Sequence, residues 1–163
     1  MRVILSRKGF DTASGGCASP VLNGVPVTLP IPVLDRSVIR YGDLMDPLGA
    51  LVNDVSRGRW TEASLCHLDP DLRSQTLHRT RPPGWRGTLG QVGAAQGHLS
   101  NQGVCEGDLF LFFGLFRVAK QDASKQWCFH GPARHLIFGW LQVDEVLALG
   151  SDGREVLRTH PWL

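Results

Sequence analysis

Lysine is scarce in this chain: 163 residues hold three lysines against fourteen arginines, and the formal net charge is only +2. So mild a balance excludes the strong global field of a protein coated in DNA, so any nucleic-acid contact must come from a local patch. The arginine excess suits bidentate phosphate contacts, and it also follows from GC-rich coding DNA. Cysteine is sparse too. The four cysteines, at 17, 66, 105 and 128, form no Cys-x-x-Cys pair and no zinc-type Cys/His spacing, which points to reduced thiols in a cytoplasm. No stretch approaches the ~20 apolar residues of a membrane span. The run Val3-Ile4-Leu5 is too short for a signal-peptide core. These shortages predict a cytoplasmic location and no membrane partner. No internal repeat or low-complexity tract is present, so a single domain over residues 1–163 is expected.

What is present is an ordinary globular composition, 42% hydrophobic and 20% charged. A chain of this length buries roughly 70% of its unfolded surface. Residues 1–6 read as a strand. Residues 12–34, with prolines at 20, 26, 30 and 32, read as a long extended loop with a short edge strand over 25–29. Leu44, Leu48, Leu51, Val52 and Val55 follow Asp43 at helical spacing and predict an amphipathic helix over 43–56. Residues 61–72 are turn-like around Pro70, and 79–87 form a breaker-rich basic loop. The apolar runs 107–118 and 135–149 predict neighbouring strands of a sheet buried on both faces, with Phe112 or Phe113 and Ile137 or Trp140 in the core. The sum is an α+β fold with a mixed or mostly antiparallel sheet and a few helices.

Three constellations carry chemistry. In "SRKGFDTASGG", residues 6–16, glycine freedom lets the amides of Ser14, Gly15 and Gly16 converge on an anion while Arg7 and Lys8 supply positive charge. The competing reading is a surface turn with a solvated basic pair, and the spacing matches neither a P-loop nor a dinucleotide fingerprint. In "CHLDPDL", His67 beside the carboxylates Asp69 and Asp71 suits general acid/base work or a divalent metal, or the two aspartates cap the turn around Pro70 while His67 fills a surface groove. In "GHLSNQGVCEGDLFLFFG", His98, Asn101 and Gln102 reach a sheet edge where they suit a base edge or a sugar, and Asp108 opens the strand.

The blocks "MRVILSRKGFD", "LPIP", "HLDPDL", "HLSNQGV", "GDLFLFFGLFR" and "HLIFGWLQV" together resemble the nucleotide modification associated domain 3 family, prokaryotic and phage-linked proteins proposed to act in DNA base hypermodification. The resemblance spans residue 1 to about 146. It implies nucleotide or nucleic-acid work without fixing a reaction. Members of that family extend beyond the end reached here at His160-Pro161-Trp162-Leu163, so a missing C-terminal part is expected.

Two functions follow. In the first, an enzyme modifies a nucleotide or DNA base: Arg7, Lys8, Ser14, Gly15 and Gly16 hold phosphate, and Asp11, His67, Asp69 and His98 converge as acid/base or metal-binding groups. In the second, suggested by a likeness of the "GDLFLFFG" and "FGWLQV" strands to PUA-like and EVE-like barrels, a non-catalytic module reads a modified base. Its affinity then comes from Arg79, Arg81, Trp85, Arg86 and an aromatic cage that includes Trp85 or Trp140, with Asn101 and Gln102 at the base. The partner is a nucleotide or nucleic acid in either case. No cofactor, definite metal set or oligomeric state can be read from the residues.

Overall fold

The computed structural model describes residues 1–34 and 37–148. Position 149 of the second apolar run and the terminal residues 160–163 lie outside the described residues. The strands are β1 (Val3–Arg7), β2 (Ser19–Leu22), β3 (Val25–Pro26), β4 (Ile31–Pro32), β5 (Cys66–His67), β6 (Leu109–Gln121) and β7 (Trp127–Gln142), and the helices are α1 (Leu48–Val55) and α2 (Gly93–Asn101). The fold is α+β. A mixed five-stranded sheet is built on β6, and β4 and β5 form a separate antiparallel pair.

The long hairpin β6–β7 is the frame. The two apolar runs pair antiparallel, as expected, and the segment between them is mostly strand as well, closing in a turn over Asp122–Gln126. Because β7 accompanies β6 along its whole length, β1 and β2 share the other edge of β6 end to end. Both run parallel to it, β1 opposite Leu109–Phe113 and β2 opposite Phe116–Val118. The expected extended loop over 12–34 therefore contains an internal strand, β2. Its Pro20 sits where the sequence suggested no ladder, and β3 forms only the short outer edge beyond it.

Between β1 and β2 the chain leaves the sheet and returns. Two glycines permit this. Gly114 of β6 lies under the departure point, where a Cβ would come within 2.6 Å of the Lys8 carbonyl oxygen. Gly15, at φ +93°, lies against the Phe10 ring, where a Cβ would sit 2.5 Å from ring carbons. Phe10 itself is fully buried and meets Tyr41 edge-on, ring centroids 6.0 Å apart. This main core includes Leu48, Leu51, Val52 and Val55, the apolar stripe of α1, which starts later than expected, after Pro47.

Two expectations are corrected. The sheet is not buried on both faces: Phe110, Phe112 and Phe116 are buried, but Ile137 is 59% and Trp140 67% exposed. The strands alternate, so these two point away from the covered side, and nothing among the described residues lies over them. Among the described residues no closed barrel forms either. Closure needs the outermost strands to pair, and among the described residues the outer edges of β1 and β7 have no strand beside them.

Asp108 starts β6 by accepting the amides of Arg2 at 2.8 Å and Cys105 at 3.2 Å, which aligns β1 with β6. These amides, that of Arg2 foremost, hold its carboxyl below the usual range. A depressed folded-state value means that the stabilisation is complete above about pH 4 and is lost as pH falls through the folded value. Asp108→Asn should therefore lower Tm at neutral pH and flatten the acid limb of a Tm-against-pH series. Phe10→Ala should cost about 3–5 kcal/mol in urea unfolding, the usual loss for a truncated core aromatic.

Candidate ligand site between β1 and α2

The stretch 6–16 resolves into two ion pairs. Arg7, half exposed, pairs with Asp11 at 2.9 Å. Oδ1 of Asp11 also accepts the amides of Ala13 at 2.7 Å and Ser14 at 2.6 Å, and the Asp11 carbonyl accepts the Gly16 amide at 2.9 Å. The Gly15 carbonyl takes the Trp60 indole N–H at 2.9 Å. The chain's own carboxylate thus takes two amides of this turn, those of Ala13 and Ser14, that could otherwise face an anion.

Lys8 is not a solvated surface cation. Its Nζ donates to Oδ2 of Asp69 at 2.6 Å, and the two side chains are only 11% and 10% exposed. Asp69 is also the anchor of a distant loop: Oδ1 accepts the Gly90 amide at 3.0 Å and Oδ2 the Gln91 side-chain amide at 2.9 Å. One carboxylate thus ties the exit of β1, the turn before Pro70 and the segment leading into α2. A buried carboxylate needs this many donors to remain charged without a large penalty.

The loop fixed in this way forms one wall of a cavity of about 520 Å³. β1 forms the floor from Arg2 to Arg7, Leu89 and Gln91 contribute from the loop, and Ala95, His98, Leu99 and Gln102 from α2 and the residue after it. The volume is of the size that takes a small ligand. Its lining mixes apolar side chains with two amides, an imidazole and guanidinium groups. Arg2 braces the far end, its guanidinium donating to the carbonyls of Gln102 and of Gly103, the latter at 2.9 Å.

Of the residues singled out from sequence, Arg7, His98 and Gln102 line this cavity, and Asp69 stands behind Gln91. His67, exposed on β5, and Asp11 do not line it. Among the described residues no three His, Cys, Asp or Glu side chains gather as a metal-binding group, so Asp11, His67, Asp69 and His98 do not form one such cluster. Asn101 is exposed at the end of α2. His98 and Asn101 belong to a helix rather than to a sheet edge. In the basic loop, Arg81 donates to Asp71 at 2.7 Å and lies 4.7 Å over the Trp85 ring, Arg86 pairs with Asp144, and Arg79 is exposed. Burial pushes the Asp71 carboxyl up, and Arg81 pulls it back.

Sequence reasoning missed Gln91, Ser6 and α2 itself. Within α2 only Ala95, His98 and Leu99 share a face, too short and too mixed a pattern to mark the helix in advance.

These features define an α+β domain with a ligand-sized, mixed-polarity cleft at the edge of its sheet. The sequence model for nucleotide modification associated domain 3 matches residues 2–162, and the chain belongs to that family. Its association is with nucleotide modification. No curated protein and no solved structure matches the chain. No helix among the described residues is long and apolar enough to cross a membrane.

Removing Asp69 would leave Lys8 nearly buried without its partner and free the Gln91 loop. Asp69→Ala should cost about 3–5 kcal/mol by urea denaturation, and the amide protons of Gly90 and Gln91 should exchange faster.

Proposed function

We propose that the chain binds a phosphate-bearing nucleotide, free or within a nucleic acid, in the cleft between β1 and α2 and acts on its base. The observation that carries this reading is the convergence of Gln91, His98 and Gln102 on a cavity of about 520 Å³ whose floor ends at Arg7. Amide side chains both donate and accept, as the edge of a base requires, and the apolar lining from Leu89 and Leu99 suits its faces. We assign His98, which lines the cavity, the proton transfer at the bound base. Asp69 is a positioning residue: it orients Gln91 and, through Lys8, fixes that loop to β1. Arg7, oriented by Asp11, takes the phosphate.

We assign the phosphate to Arg7 rather than to Ser14, Gly15 and Gly16, because Asp11 already accepts the amides of Ser14 and Gly16. His67 has no part in this reading. A base reader built on the arginine loop has less support, since Arg81 already covers the Trp85 ring and is drawn down to Asp71.

Titration with mononucleotides and short oligonucleotides at two salt concentrations tests the assignment. Arg7→Ala should weaken binding at least tenfold and flatten its salt dependence, in keeping with loss of a charged contact worth about 1.5–3 kcal/mol. Ala95→Trp, which fills the cleft from an exposed helix position, should abolish binding and leave the circular dichroism spectrum and Tm unchanged. Wild-type affinity in both variants rules out this cleft.

A further inference from the structure

The open face of the sheet is as informative as the cleft. Register places Val3, Leu109 and Gln142 in one row across β1, β6 and β7, then Leu5, Leu111 and Trp140, then Arg7, Phe113 and Ile137. Partners in register point to the same side. Seven of these nine side chains are apolar, and the one charge, Arg7, stands at one end of the rows, paired with Asp11. Val3 is 57%, Leu5 66%, Ile137 59% and Trp140 67% exposed. Contiguous apolar patches of this kind mark interaction surfaces rather than ordinary solvent-facing sheet.

We propose that this face is the interface of a homodimer in which two sheets pack face to face about a two-fold axis running along β6. Three observations select a second copy. The first is charge: a nucleic acid would need unpaired cations across the face to neutralise phosphates, whereas these rows have the charge-depleted, aromatic-anchored character of a protein interface. The second is self-complementarity. β6 is central, with the slim aliphatic strip Val3/Leu5 on one side and the bulky strip Trp140/Ile137 on the other. A two-fold along β6 lays each copy's slim strip against its partner's bulky one, and isologous contacts require such matching. The third is area. Side chains of these sizes at those exposures present on the order of 600 Å² per copy, close to the ~800 Å² per partner of a standard interface.

The dimer also bears on the cleft, because Val3, Leu5 and Arg7 belong to the strand that floors it. A partner seated on the open face would lie along the lip of the site. This inference does not depend on the ligand assigned above.

Sedimentation equilibrium of the full chain, without ligand, is the test. The wild type should show a reversible dimer mass at micromolar concentration. Leu5→Lys and Trp140→Glu should each raise the dissociation constant on the order of a thousandfold, because every dimer contains each contact twice. Both variants should keep the wild-type circular dichroism spectrum, since both positions are exposed. An equimolar mixture of the two should recover the dimer, the new lysine of one chain meeting the new glutamate of the other. A wild type that stays monomeric overturns the proposal, including the case in which a chain ending at residue 148 dimerises and the full chain does not. So does a dimer indifferent to both changes, or a monomer whose Trp140→Glu variant loses affinity for single-stranded DNA. A mixture that stays monomeric overturns the two-fold arrangement.

Discussion

One edge of β6 must serve two strands. β1 and β2 both lie parallel to it and end to end, so the residues between them have to leave the sheet and come back within a short distance. Most of what is particular to this domain follows from that detour. It requires Gly114, because the departing Lys8 carbonyl passes where a side chain would be. It also sends Phe10 into the core and closes on the ring with Gly15. The polar residues of the detour then have to find partners close to the backbone, and they do: Arg7 with Asp11, Lys8 with Asp69. A cluster that looks like an anion trap in the sequence is first a solution to the geometry of a shared strand edge.

The Lys8–Asp69 pair illustrates why a buried salt bridge should not be read simply as stabilisation. Taking both charges out of water opposes folding, and their attraction offsets that only with additional donors in place. Gly90 and Gln91 are those donors, and they come from a loop more than twenty residues further along the chain. An apolar pair could fill the same space but could not demand the same loop. The pair therefore acts on specificity: it sets where the wall of the cleft stands relative to β1.

Legibility in the sequence followed how local the determining physics was. The strands β6 and β7 were evident because runs such as Leu109–Gln121 have no other way to bury so much apolar surface, and the stripe of α1 repeats at helical spacing. The strand β2 was hidden because Pro20 and its neighbours argue for loop, and only the distant β6 supplies a ladder partner. The helix α2 was hidden because "GAAQGHLSN" carries two glycines and one leucine, so neither propensity nor an apolar stripe announces it. That helix forms one wall of the cleft, so His98 and Gln102 were visible as residues while the cleft was not. Lys8 was misjudged for the same reason, since its partner lies sixty-one positions away. The exposure of Trp140 and Ile137 escaped because composition reports how apolar a strand is, not whether anything covers it.

Alternation along β1 joins the two surfaces that matter. Ile4 and Ser6 are the more buried positions, with Ile4 packed in the smaller core cluster, while Val3, Leu5 and Arg7 stand on the open face. The strand is only five residues long, and its outer edge has the cleft rather than another strand beside it. It is held on its inner edge by β6, at its start by Asp108 and at its exit by Lys8 and Arg7. Strands restrained on one edge only are the segments of a sheet that yield most readily to a load on either side. A ligand in the cleft and a second chain on the open face would therefore meet the same five residues, which both sides of the strand present.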